Sequence, residues 1–152
     1  MGDKIEMMNK IRDKYTSLYD IDGVSKECLD ELERELGIKL PDDFREIASY
    51  GCGALGGWGT HSFSSSDPTN LLGETLRIRS AVGLPNRFIV LGEPSESIIV
   101  MDTENKPSIL WIDSVEIDGL EKRDFVNEPD IWENFSDFFS ELLEDEEEER
   151  NY

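Results

Sequence analysis

A chain of 152 residues, 38% apolar, can bury a sizeable core without disulfides or metals, and its net charge of −20 repels nucleic acid and anionic membranes. Its two cysteines, Cys28 and Cys52, are too few for a disulfide scaffold and too far apart for a CxxC redox or zinc motif, so both are read as free thiols in a reducing compartment. No apolar run approaches the ~20 residues that a bilayer span needs. Met1 to Leu18 is broken by charges and has no signal-peptide core, which predicts a cytoplasmic protein.

Ile5, Met8, Ile11, Tyr15 and Leu18 recur at spacings of three and four, predicting a helix over 3–18. Residues 20–23 read as a turn. Ser25 should cap the next helix, because its hydroxyl accepts from the free N–H groups of a first turn. Cys28, Leu29, Leu32 and Leu36 form that helix's apolar face, and Gly37 ends it in the left-handed region. Pro41 opens a third helix at its first position, where a missing N–H costs nothing. Asp42 and Asp43 favour that helix's dipole; Phe44, Ile47 and Ala48 bury; Gly51 stops it.

Residues 58–63 read as a strand and 64–68 as a loop. Thr69 or Asn70 caps a helix whose buried face is Leu71, Leu72, Leu76 and Arg79, with Thr75, Ile78 and Val82 leaving a strand as the alternative. Residues 83–86 break it. Three apolar runs follow, 88–91, 97–101 and 108–112, separated by Pro-containing turns. They predict an antiparallel meander covered on one face, with 115–117 and 123–126 as weaker edge strands. Ile131, Trp132, Phe135, Phe138, Phe139, Leu142 and Leu143 keep one face of a closing helix. Asn134 or Ser136 caps it if it starts late, Asp130 if it starts early.

Beyond Leu143 the acidic run repels itself, which predicts a disordered tail over 144–152 after a domain spanning 1–143. That tail does not explain the charge. Without Glu141 and the acids of 144–149, and without Arg150, the body still has 28 acids against 14 bases. The order of elements gives an α+β fold, a mostly antiparallel sheet packed against N-terminal, inserted and C-terminal helices.

Gly51-Cys52-Gly53-Ala54-Leu55-Gly56 spells GxGxxG. A dinucleotide site needs a strand before the motif and a helix after it; here a helix precedes it, so the glycines are read as a sharp structural corner and no cofactor is expected. The single histidine, His61, could be joined to Ser64 and Asp67 as a triad, but no nucleophile elbow is present. Metal ligation by His61 lacks further histidines, and Asp102, Glu104 and Asn105 lack the length and glycine of a calcium loop. Trp58, set among glycines, is read either as a core residue or as a half-exposed interface anchor. With His61, Asp67, Glu74, Glu93, Glu96 and Asp102 it forms the candidate partner-binding set.

Three stretches carry a family likeness: Leu32-Glu33 through Leu36-Gly37 to Leu40-Pro41-Asp42-Asp43-Phe44; the cluster Tyr50-Gly51-Cys52-Gly53; and Leu84-Pro85 through 88–91 to Ile98-Ile99-Val100-Met101-Asp102. Over residues 25–143 the chain resembles the SUKH superfamily, which includes yeast SMI/KNR-type cell-wall regulators and many bacterial immunity proteins. Cys52 departs from the Asn-Gly-Gly type of turn usual there. The resemblance implies a non-enzymatic protein that binds and neutralises a polymorphic toxin, often a nuclease, inside the producing cell. A strongly acidic protein suits that task, since it can occupy a basic phosphate-binding site and be steered to it. A regulatory binding module of the SMI/KNR type is the alternative, and a small hydrolase working from His61 is a third reading.

Overall fold

The computed structural model describes residues 2–19, 23–51, 53, 58–64 and 67–150, and its helices follow the punctuation of the sequence. Helix α1 (Gly2–Leu18) buries Met8, Ile11 and Tyr15. Helix α2 (Lys26–Leu36) starts where the Ser25 hydroxyl accepts from the Cys28 N–H at 3.1 Å, and ends at Gly37 with φ of 68°. Helix α3 (Asp42–Ala48) begins one residue later than expected. Pro41 is its extended capping residue and Asp42 its first helical one. Residues 20–22 of the turn expected over 20–23, Cys52 and the glycines of 54–57 lie outside the described residues.

Helix α4 (Leu71–Val82) is capped by Asn70, whose Oδ1 accepts from the Gly73 N–H at 2.8 Å. Its buried face is Leu71, Thr75 and Ile78, while Leu76 is 42% exposed. The expected Leu72/Leu76/Arg79 face is therefore corrected. The cause is a neighbouring strand: the Thr75 hydroxyl accepts the Val90 N–H at 2.9 Å, satisfying a buried donor on a sheet edge. A stripe judged by apolarity alone passes over that threonine.

The sheet runs in the order β1 (Phe88–Gly92), β2 (Ser97–Asp102), β3 (Ile109–Asp113), β4 (Asp130–Trp132), antiparallel throughout. Val90, Val100, Leu110 and Ile131 stand opposite one another across it. Both faces are covered, not one. Ile89, Leu91, Ile99, Met101 and Ile109 join the core made with α1, α2, α3 and α5, while Phe88, Val90, Ile98, Val100, Leu110 and Ile112 pack with Ile78, Leu84 and Leu120. The runs within β1 and β2 lack polar alternation because neither face meets water. Residues 115–117 and 123–126 are not edge strands. They belong to a 3-10 helix (Ser114–Gly119) and the loop after it, from which Ile117 and Phe125 cover the second face.

Residues 58–63 make two isolated bridges, Thr60 with Gly92 and Ser62 with Asn70, in place of a strand. The bulge at Gly92 permits this, since a Cβ there would lie 2.7 Å from the Gly59 carbonyl oxygen. Strand β4 takes Ile131 and Trp132 out of the closing helix. Helix α5 (Phe135–Arg150) starts late, with Asn134 Oδ1 accepting the Asp137 N–H at 2.9 Å.

Helix α5 also continues to Arg150, where a disordered tail was expected. Phe135, Phe138, Phe139, Leu142 and Leu143 anchor its first half in the core, so each later residue extends an existing helix and pays no nucleation cost. Arg150 then donates to the Leu18 carbonyl at 2.6 Å and lies 4.8 Å over the Tyr19 ring, and Lys14 meets Glu147 at 3.9 Å.

Candidate partner-binding site

All three tryptophans of the chain meet on the face of the sheet that carries the main core, at its β4 edge. Residues opposite one another in a ladder share a face, so Ile109 places Trp132 on the side of the main core and Trp111 lies on that same face beside Asp130. Trp58 arrives from the segment ahead of the Thr60 bridge. Its ring lies 5.5 Å from Trp111, 6.2 Å from Trp132 and 5.6 Å from Phe138. Trp132 in turn meets Phe138 edge-on at 5.1 Å. Together with Asp130, Ile131 and Glu141, the three indoles line an open groove of about 500 Å³.

Carboxylates of α5 orient two of those rings. The Trp58 indole N–H donates to Asp145 Oδ2 at 3.0 Å, and the Trp132 indole N–H donates to Glu141 Oε2. Trp58 is half-buried: it packs on Phe138 and also lines the groove. Trp111 and Trp132 did not stand out in the sequence, because each sits in a run that reads as core. No alternation within the apolar run 109–112 separates Trp111 from its buried neighbours Leu110 and Ile112.

A second cluster joins His61, Glu74 and Glu93. His61 is buried, with its backbone N–H donating to the Leu91 carbonyl at 2.8 Å and its ring Nε2 3.0 Å from Glu93 Oε2. Arg77 reaches both Glu74 and Glu93 at 2.6 Å. Burial opposes the charge on Glu93, but Arg77 and then His61 outweigh it and hold the carboxyl below its ordinary range. Hydrogen bonds to Glu93 and Glu74 raise Arg77 in turn. One ligand atom each from His61, Glu74 and Glu93 lie within 4.8 Å of one another, close enough to hold a metal ion. The guanidinium of Arg77 already supplies the balancing positive charge there.

The remaining residues of the candidate set separate. Asp67 accepts from the Ser62 hydroxyl, and Nε2 of His61 is engaged with Glu93 rather than with Asp67. Glu96 is exposed at the β1–β2 turn with φ of 59°. Asp102 is turned inward and spent inside the fold: Oδ1 accepts the N–H groups of Glu104 and Asn105 at 2.9 and 3.0 Å, and Oδ2 accepts from Arg87 at 3.2 Å and Arg123 at 2.9 Å. With a side chain 0% exposed it offers nothing to a partner, and it is struck from the candidate set. Trp58 lines the tryptophan groove, His61, Glu74 and Glu93 form the second cluster, and Asp67 and Glu96 are isolated loop positions.

Among the described residues no helix is long and apolar enough to cross a membrane. No curated protein matches the chain. A family model described as SUKH_5, SMI1-KNR4 cell-wall, matches residues 1–144. The α+β architecture and its four-stranded antiparallel sheet agree with that match, and the chain belongs to the SUKH superfamily, within the SUKH_5 family.

Proposed function

We propose that this is an immunity protein that binds and blocks the toxic domain of a cognate secreted toxin in the cytoplasm of the producing cell, without catalysis of its own. Its target on this reading is a basic nuclease domain. The observation that carries the proposal is the uncompensated acidity of α5. Glu141, Glu144, Asp145, Glu148 and Glu149 make no ion pair among the described residues, in a chain of net charge −20. A row of like charges on one helix costs stability, and a partner surface of opposite sign recovers that cost and is steered toward the row. A nuclease domain carries such a surface, because it holds phosphates.

Inhibition of nucleic-acid cleavage by the purified toxic domain tests this. The expected result is stoichiometric inhibition, competitive with the nucleic acid, that weakens as salt rises past the point where surface charges are screened. Inhibition independent of salt would remove the charge argument, and absence of inhibition would remove the nuclease target. The description of the family as cell-wall related favours a second reading, a regulatory binding module for another protein. That reading predicts a stable partner and no effect on any toxin.

A further inference from the structure

We propose that the tryptophan groove receives an arginine or lysine side chain of the protein partner; this rests on the partner-binding reading above and names what the groove takes. Two facts point to a cation. The walls are the indoles of Trp58, Trp111 and Trp132, whose electron-rich faces attract a guanidinium or ammonium group. The rim carries Asp130 and Glu141, Asp145 accepts from the Trp58 indole, and no Lys or Arg of the described residues pairs with any of the three. The open groove, about 500 Å³, has room for such a side chain.

An apolar side chain is the poorer occupant. It would strip water from Asp130 and Glu141 with nothing to replace it. A guanidinium instead donates to those carboxylates while its plane stacks on an indole. The two indole–carboxylate bonds fix the rings before any partner arrives, so little ordering is left to do on binding. The groove thus supplies the anchoring contact, and the unpaired acids farther along α5 supply steering.

The three indole N–H signals of the full chain, followed by nuclear magnetic resonance during titration with hexa-arginine and with hexa-citrulline, test the assignment. Hexa-arginine should shift all three signals saturably, and its uncharged analogue should not. The triple variant Asp130→Asn, Glu141→Gln, Asp145→Asn should weaken binding about tenfold or more, the loss of one cation–π and ion-pair anchor. Neutralising the exposed Glu104, Asp118 and Glu121, which lie away from the groove, should weaken it less than about twofold. Asp130→Asn alone removes a rim charge without touching either indole bond, and should weaken binding about threefold if the triple variant misfolds.

Equal losses from the groove and control variants would overturn the inference in favour of a diffuse field. Indole shifts that follow protein concentration without peptide would overturn it in favour of a second copy as occupant, and equal shifts with both peptides would favour an uncharged one. The toxic domain separates the two levels. If the chain neutralises it and the Asp130→Asn and triple variants do so equally well, the groove assignment fails alone. If the chain does not neutralise it yet hexa-arginine still binds, the immunity reading fails alone.

Discussion

Trp58 and Asp145 are 87 positions apart, and the indole N–H of one donates to the carboxylate of the other at 3.0 Å. That bond ties the segment leading into the sheet to the acidic half of α5. Charge on this half of the helix is therefore structural as well as exposed.

Truncation after Leu143 removes Asp145 together with the Arg150 contacts to Leu18 and Tyr19 and the Lys14–Glu147 pair. The expected cost is about 1–3 kcal/mol, one hydrogen bond to a charged group plus weak surface pairs. Urea unfolding followed by tryptophan emission checks it. The truncated chain should unfold at lower urea and its native emission should lie further to the red, as Trp58 is released. An unchanged midpoint and spectrum would mean that the end of α5 is independent of the fold.

Thr75→Val keeps the shape of a buried side chain and deletes the acceptor of the Val90 N–H. The donor is then buried without a partner, which costs about 1–3 kcal/mol. Amide exchange at Val90 should accelerate more than exchange at Val100, its partner within the sheet. Equal acceleration at both sites would indicate a general loss of stability instead.

Asp102 supplies a pH dependence of known sign. Burial opposes its charge, yet the Glu104 N–H, the Arg123 guanidinium, the Asn105 N–H and the Arg87 guanidinium outweigh burial and hold its carboxyl below the usual range. A depressed folded value stabilises the protein above the unfolded aspartate value of about 3.9, and that stability is lost as pH falls through the folded value. Asp102→Ala should cost about 3–5 kcal/mol at pH 7, because it strands two arginines that face a buried carboxylate. The gap between variant and parent in urea unfolding should narrow as pH drops below about 4. A gap constant between pH 7 and pH 3 would show that Asp102 acts through packing.

What could be read from the sequence was what is local. Ser25 and Gly37 bound α2 through groups within a few residues of themselves, and both were recognisable from residue type and spacing. The face of α4 was not, because Thr75 is buried by its bond to a strand fifteen positions on. Trp132 looked helical until its pairing with Ile109 placed it in β4. The acidic end of α5 looked disordered because its neighbours in sequence repel it, whereas Arg150 meets Leu18 from 132 positions away. The same limit applied to the site. Trp58 stood out among its glycines, but only the meeting of β3, β4 and α5 turns it into a groove.

Co-expression of this chain with a toxic nuclease domain is the most direct measurement of the proposed immunity. Growth should be restored by a cognate pairing, and the restoration should be lost when the unpaired acids of α5 are neutralised in a chain that still folds. Toxicity unchanged by the intact chain would contradict it.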